Sequence, residues 1–203
     1  MFPSGRRRRR GITLVAGAIV AAGVLAGGVI AGRIGWTDDA TRLDAALSEA
    51  PAATLVEIPS VDGLPARGVF AQVTSTGHLC LSDAPLSAPL MGGGGCNPAD
   101  DPLGGRAFTA SLAYDGGPAI QDVKDARLIG LTSSQVESVR VSMSDGSSRQ
   151  VKLKSTKVAG NELQAFGFRF KKADLRKGIG PTAVVAYDAT GAEIDRQATG
   201  FGG

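Results

Sequence analysis

From residue 54 onward, apolar and polar residues alternate in short runs, which is the pattern of strands that bury one face. The clearest run has Val139, Val141 and Met143 on one face, and Asp145 and Gly146, which follow Ser144, suit a tight hairpin turn. The alternation resumes on the predicted return strand at residues 151–154. Further strands are predicted at residues 54–58, 69–74, 78–82, 108–114, 127–131, 166–170, 182–187 and 192–197. About nine short strands separated by turns predict a mainly β, antiparallel sandwich or partly open barrel.

Three phenylalanines repeat at every second position near residue 168. Phe166, Phe168 and Phe170 are separated by Gly167 and Arg169. Side chains at i, i+2 and i+4 of a strand lie on one face of the sheet. We therefore predict that the three rings line the core.

The N-terminal segment has a different pattern. An unbroken run of arginines precedes 22 uncharged residues, 11–32, and Arg33 closes the segment. The run consists of Arg6, Arg7, Arg8, Arg9 and Arg10. A helix of 22 residues spans about 33 Å, enough for a hydrocarbon core of about 30 Å. Because positive charge stays in the cytoplasm, the run of five arginines predicts a single-pass signal anchor with residues 34–203 outside, and Arg33 marks the outer end of the predicted helix.

Two features of this segment leave alternatives open. Small residues near Ala31 also permit cleavage there, which would make the domain a secreted protein, although the apolar region of a signal peptide usually has only 7–15 residues. Glycines four residues apart let two membrane helices approach closely, which permits a homodimer. The glycines in question form two pairs, Gly23 with Gly27 and Gly28 with Gly32.

The predicted organisation has four parts. Residues 1–10 form a cytoplasmic tail, and residues 11–32 form the transmembrane helix. Residues 33–53 form a juxtamembrane stalk, in which Leu43 and Leu47 mark a short helix that Pro51 ends. Residues 54–203 form the extracytoplasmic β domain.

The distribution of charge excludes one class of partner. The net charge is +3, but six of the 22 basic residues lie within residues 1–33, which contain no acid. The remaining 170 residues have 16 basic and 19 acidic side chains, a net charge of −3. A basic nucleic-acid-binding domain is therefore not expected.

The two cysteines, Cys80 and Cys96, are the chain's only ones and have 15 residues between them. In an oxidising exterior an even count predicts one disulfide. The segment between two predicted strands, residues 83–108, contains Cys96 and is rich in glycine and proline; it is predicted to be a long loop that the disulfide ties to the sheet. A metal or redox pair is disfavoured because the chain has no CxxC motif and a single histidine.

The other candidate polar residues are better explained as turn and loop residues than as catalytic or ligand-binding groups. His78 lies at a predicted hairpin turn and would need a free Cys80 thiolate to form a nucleophilic pair. The remaining candidates match no calcium-loop or phosphate-loop spacing and are predicted to be turns or solvated loops. They are Asn97, Asp100 and Asp101, the glycines 92–95, and the basic group Lys171, Lys172, Arg176 and Lys177. No catalytic, cofactor or metal site is predicted.

Several stretches carry a family resemblance: the arginine-run anchor, "GHLCL", the glycine-rich loop to the second cysteine, "VESVRVSMSDG" and "AVVAYDATGAEI". Together they resemble single-pass exported proteins of high-GC Gram-positive bacteria that have an immunoglobulin-like β-sandwich outside the membrane. The resemblance implies a location and a fold, and it carries over no catalytic residue.

The sequence thus predicts a membrane-anchored binding or structural module of the bacterial cell envelope, not an enzyme. Its partner would be an envelope protein or a wall polymer. The alternative is an envelope sensor, which would need a membrane partner because the cytoplasmic tail of about ten residues is too short to fold. A cell-envelope hydrolase is the least favoured class, since no constellation of carboxylates is recognisable.

Overall fold

The computed structural model describes residues 30–34, 53–87, 94–117 and 119–199. These residues form thirteen strands, one 3₁₀ turn at Ile120–Asp122 and one short helix, α1, at Lys172–Arg176. The strands are β1 (Ile30–Ile34), β2 (Ala53–Ile58), β3 (Arg67–Val73), β4 (His78–Pro85), β5 (Gly94–Pro98), β6 (Phe108–Gly116), β7 (Val123–Ser133), β8 (Ser138–Met143), β9 (Ser148–Val151), β10 (Lys154–Val158), β11 (Asn161–Arg169), β12 (Pro181–Tyr187) and β13 (Glu193–Ala198).

All strand pairs are antiparallel and form three sheets. The central sheet has the order β1-β6-β7-β11-β10, and the two others have the orders β2-β3-β4-β5 and β13-β12-β8-β9. We call them the central sheet, the disulfide sheet and the C-terminal sheet. The mainly β, sandwich-like prediction is confirmed, with three sheets in the stack.

The central sheet is buried on both faces. In β7, Leu128 packs with the C-terminal sheet in one hydrophobic cluster, while Ile129 and Leu131 pack with the disulfide sheet in another. Neighbouring residues of a strand point to opposite faces. The continuous apolar run of β7 is therefore the sequence of a strand that is covered twice.

The predicted phenylalanine face is confirmed. Phe166 is completely buried and Phe170 is 3 % exposed, and both belong to the cluster shared with the C-terminal sheet. Phe168 is partly buried and packs against that cluster, with its ring edge-to-face on Phe170 at 5.1 Å.

Three predictions for the region between β4 and α1 need correction. Residues 83–108 are not one long loop: β4 continues to Pro85, and β5 lies within the segment. Glycine at position 94 allows β5 to approach β4, because a Cβ there would lie 1.7 Å from the Leu81 carbonyl oxygen. The return strand of the β8 hairpin is Ser148–Val151, since the chain crosses to the central sheet before β10. The basic turn contains α1, which buries Leu175.

The predicted transmembrane helix is corrected at its C-terminal end. Residues 30–32 do not continue a helix but belong to β1, whose backbone pairs with β6. Gly32 therefore does not share a helix face with Gly28. The rest of the predicted anchor and the predicted helix of the stalk lie outside the described residues. Within the described part of the chain, no helix has the length and apolar character needed to span a membrane.

The arginines that set the predicted topology divide into two groups. The run itself lies outside the described residues, so its cytoplasmic placement stays a prediction; its members are Arg6, Arg7, Arg8, Arg9 and Arg10. Arg33 is described, and it does not close a membrane-spanning helix. It lies within β1, opposite Ser111 on β6, because the backbone of this segment completes the edge of the central sheet.

Candidate functional site

The most concentrated polar chemistry in the described residues is an ion-pair cluster between the central sheet and the disulfide sheet. It contains three arginines and three aspartates on five strands. The members are Arg67 on β3, Asp83 on β4, Asp115 on β6, Asp125 and Arg127 on β7, and Arg169 on β11. We call this set the inter-sheet ion cluster.

The charged residues of the cluster lie on the same strand faces as buried apolar residues, at one end of each apolar series. On β7, Asp125 and Arg127 precede Ile129 and Leu131 at every second position. On β4, Asp83 likewise follows Leu79 and Leu81. These strands thus bury charge along the same faces that elsewhere bury aliphatic side chains.

Arg127 is the centre of the cluster and is fully buried. Its Nε donates to Asp83 Oδ2 at 2.6 Å, and its Nη1 donates to Asp115 Oδ2 at 3.1 Å and also to Asp125 Oδ2. Burial acts to lower the pKa of Arg127, but Asp83, then Asp125 and Asp115, raise it, and the balance is a pKa above the ordinary value. The guanidinium therefore stays charged inside the protein.

Two further arginines complete the cluster. Arg67 Nε donates to Asp83 Oδ2 at 2.7 Å, so this carboxylate joins two arginines from different sheets. Arg169 Nε lies 3.1 Å from Asp125 Oδ1. The pKa of Arg169 is lowered, mainly by burial, with Arg127 and Arg67 adding to the effect and Asp125 opposing it.

Arg169 also fixes the loop between β2 and β3. Its Nη1 donates to the Pro59 carbonyl at 2.8 Å and its Nη2 donates to the Pro65 carbonyl at 2.9 Å. The same loop contains Asp62 at φ 52°. One guanidinium thus joins the central sheet to the connection between two strands of the disulfide sheet.

The composition of the inter-sheet ion cluster suits a structural contact between two sheets. Arginine cannot act as a proton donor near neutral pH, and each carboxylate is paired with arginine. Asp115, at 39 % exposure of its side chain, is the member at the solvent edge. Among the described atoms, Asp83 Oδ1 and Arg127 Nη2 are buried without a hydrogen bond, so the pairing is incomplete.

The predicted disulfide is confirmed. Cys80 and Cys96 lie directly opposite each other on β4 and β5 and are bonded, with their Cα atoms 4.0 Å apart. Neither thiol is therefore available for a pair with His78. The Nδ1 of His78 instead lies 3.2 Å from Thr76 Oγ1, within the turn between β3 and β4.

The other predicted candidates are not brought together as one site. Asn97 is buried and donates to the Pro102 carbonyl, and Asp101 accepts from the Gly105 backbone. Lys171, Lys172, Arg176 and Lys177 lie on and beside α1 at another end of the molecule. No group of three or more metal-ligating side chains occurs in the residues that the structure describes.

Two recesses share part of their lining: one is lined by residues of β10 and β11, and the other by residues of β9, the connection to β10 and β11. Their volumes are about 540 and 620 Å³, and Glu137 and Gln164 line both. Gln164 is held by a hydrogen bond of 2.7 Å from its Nε2 to the Val136 carbonyl. Charges of both signs line the recesses, so they have no single electrostatic preference; the further charged side chains are Lys152, Lys157 and Glu162.

Sequence reasoning missed the inter-sheet ion cluster. The sequence did contain a signal. Asp125 and Arg127 alternate in step with the apolar residues Ile129 and Leu131, so all four side chains must lie on the same face of the strand. A charge in phase with a buried series needs a partner of opposite sign. Which residue on another strand supplies that partner depends on sheet stacking, which the local pattern does not encode.

Comparison with known proteins identifies no relative: no protein-family model, no curated protein and no solved structure matches the chain.

Proposed function

We propose that this chain is a membrane-anchored extracytoplasmic module of the bacterial cell envelope that binds or supports a partner and performs no catalysis. The observation that carries the proposal is the disulfide between Cys80 and Cys96. Disulfides persist in oxidising compartments and are rare in the cytosol. A run of five arginines, by contrast, is retained on the cytoplasmic side. A chain with both features has its two ends on opposite sides of a membrane.

The uncharged sequence remains long enough for an anchor when β1 is taken out of it. Residues 11–29 still provide 19 residues without charge. At 1.5 Å per residue, a helix of this length spans about 28 Å, within the range of transmembrane helices. The anchor that we propose therefore ends before Ile30.

The pairing of β1 favours an uncleaved anchor over a secreted form. β1 forms an edge of the central sheet and pairs with five residues of β6. Cleavage near Ala31 would remove Ile30 and Ala31 from this strand and shorten its pairing with β6 from five residues to three. Exposed strand edges favour aggregation, so retaining β1 protects the sheet.

The binding or structural role is supported by how the polar groups are used. The two cysteines are bonded to each other and have no free thiol, and His78 lies beside Thr76 in a turn. The carboxylates of the inter-sheet ion cluster are engaged by arginines. An immunoglobulin-like exterior, as in the exported proteins that the sequence resembles, commonly serves recognition through its loops and edges.

The proposal is tested with the full chain expressed in bacterial cells. Membranes are washed with alkaline carbonate, the retained chain is weighed intact by mass spectrometry, and free thiols are trapped by alkylation before lysis. We expect a full-length chain in the washed membranes, with neither cysteine alkylated. Two alkylated cysteines, or a soluble chain starting near Gly32, would overturn the anchored proposal. In-cell crosslinking of the retained chain then identifies its partner.

A further inference from the structure

We propose that the end of the molecule around α1 is a membrane-docking surface that binds anionic lipid headgroups of the outer leaflet. The inference rests on the proposed anchored topology and deepens it by assigning a face to the bilayer. The surface, which we call the basic end, comprises Lys124, Lys171, Lys172, Arg176 and Lys177.

The register of the central sheet places the start of β1 at this end. Ile30 lies opposite Tyr114 on β6, and Tyr114 lies opposite Ala126 on β7. The backbone of Phe170 then donates to the Ala126 carbonyl at 2.9 Å. Ile30 and Phe170 are therefore level with each other across the sheet. Lys171 and Lys172 follow Phe170 directly.

The direction of β1 fixes which end faces the bilayer. β1 runs from Ile30, level with Tyr114, to Ile34, level with Ala110. Its first residue is thus at the end where β6 finishes and β7 begins. The uncharged sequence 11–29 immediately precedes Ile30, with no linker between them. An anchor in that sequence would hold the basic end next to the headgroups.

The charge at this end is concentrated on one short segment. Residues 171–177 include four basic side chains and one acidic one, Asp174, and this acid lies 3.4 Å from Arg149. Three of the four basic side chains are exposed, as is Lys124 at the start of β7, and Lys172 is half-buried. Acids also lie at this end. Asp62, Asp122 and Asp145 are in neighbouring turns, and Asp115 lies near the end of β6 opposite Asp125, paired with Arg127 and with its side chain 39 % exposed.

The segment is held rigidly enough to act as a surface. Leu175 is buried in the hydrophobic core, so packing fixes α1 while its basic side chains remain accessible to solvent. The Ile179 backbone donates to the Asp174 carbonyl at 3.0 Å and closes the segment. Clusters of basic residues next to a membrane segment are attracted to anionic lipids, and the attraction fades within a Debye length.

The chain's seven lysines provide an internal control. Four belong to the basic end, and three are elsewhere, Lys152, Lys154 and Lys157. Lys154 lies opposite Ala165, which lies opposite Leu131. From Lys124 to the level of Leu131 along β7 is about 23 Å. This is well beyond a Debye length of about 8 Å at physiological salt.

The test uses the full chain reconstituted in vesicles of phosphatidylcholine alone or of phosphatidylcholine with phosphatidylglycerol. A membrane-impermeant acylating reagent labels only outward-facing domains, and mass spectrometry gives the labelling rate of each lysine. We expect the lysines of the basic end to react about threefold more slowly on the anionic vesicles. Lys152, Lys154 and Lys157 should react equally on both, and salt of about 1 M should abolish the difference.

A matched pair of variants separates docking from a general charge effect. Replacing Lys171, Lys172, Arg176 and Lys177 together by glutamine should remove the protection of Lys124. The control replaces Lys152, Lys154 and Lys157 by glutamine and should leave that protection unchanged. Neither variant alters a buried side chain, so both should keep the disulfide and the melting temperature of the wild type.

Three results would overturn the docking surface. Equal labelling of the basic end on both vesicle types, with the chain retained after a carbonate wash, would refute docking and leave the anchored topology standing. Failure of the chain to remain with the vesicles would refute the topology as well. Protection of the same lysines by an added anionic wall polymer, but not by anionic lipid, would assign the basic end to a polymer instead.

Discussion

Arg127 shows how a single residue joins two layers of this protein. It is fully buried, yet it contacts Asp83 on the disulfide sheet and Asp115 and Asp125 on the central sheet. Removing a buried charge from water costs several kcal/mol, which its partners offset only while the pairing is intact. The loss of the arginine would leave the buried carboxylates of Asp83 and Asp125 with one arginine partner each instead of two.

We expect Arg127→Met to lower the free energy of unfolding by about 3–5 kcal/mol, the usual effect of breaking a buried pair. Urea denaturation measures this loss. Arg196→Met provides the control, because Arg196 pairs with Glu193 on the surface and should leave the midpoint nearly unchanged. An Arg127→Met variant as stable as the control would mean that the inter-sheet ion cluster contributes nothing to stability.

A second ion pair, between Arg106 and Asp195, makes stability depend on pH. Asp195 Oδ1 accepts from Arg106 Nη2 at 2.5 Å and Oδ2 accepts from the Ala107 backbone. Burial acts to raise the pKa of Asp195, but the hydrogen bond and charge of Arg106 outweigh it, and the pKa is lowered. Because the folded pKa is below the unfolded value, Asp195 contributes stability above about pH 4, its ordinary pKa.

This contribution is lost as the pH falls through the lowered pKa of the folded state. We expect Asp195→Asn to be less stable than the wild type at neutral pH and to approach it at acid pH. Thermal melting at a series of pH values measures the difference. A difference that stays constant across the series would contradict the role of the ionised carboxylate.

At the scale of elements, the sequence predicted most strands and the pairing of neighbouring strands in hairpins, such as β8 with β9, but not the pairing of strands distant in sequence, such as β8 with β12. The strands that lie where the sequence predicts them are β2, β3, β4, β6, β7, β8, β11, β12 and β13. β5 was missed because its glycines read as a flexible loop, whereas Gly94 is required by close contact with Leu81. β10 was not predicted because Leu153 and Lys154 continue the alternation of β9. The chain nevertheless leaves the C-terminal sheet after β9 and enters the central sheet at β10.

The disulfide should stabilise the β4–β5 pair. Closing a loop of about 15 residues is worth roughly 3 kcal/mol by its effect on the unfolded chain. We expect Cys80→Ser and Cys96→Ser to lower the free energy of unfolding by similar amounts. The double variant should add little, because either change alone breaks the bond. Losses that add up in the double variant would show that the two sulfurs act separately.

The phenylalanines of β11 should differ in cost according to their burial. Phe166→Ala removes a completely buried ring and should lower the free energy of unfolding by about 3–5 kcal/mol. Phe168→Ala removes a partly buried ring on the same face and should cost less. Chemical denaturation of both variants makes the comparison, and an equal or reversed order would contradict the packing described here.

At the scale of the whole molecule, the sequence predicted a sandwich, and the structure has three stacked sheets with the ion cluster between two of them. The two-sided burial of β7 is visible in its continuous apolar run, but the local pattern does not say which sheets cover it. The candidate site was not predicted because its members come from five strands between residues 67 and 169. Only stacking brings these side chains together.

The central claim is that the arginine run and the β domain lie on opposite sides of a membrane. The most direct test adds protease to intact spheroplasts that contain the full chain with a tag at each end, with detergent-lysed spheroplasts as the control. We predict that the C-terminal tag is removed from intact spheroplasts while the N-terminal tag survives on a short fragment. Survival of the C-terminal tag until lysis would place the β domain in the cytoplasm and contradict the account.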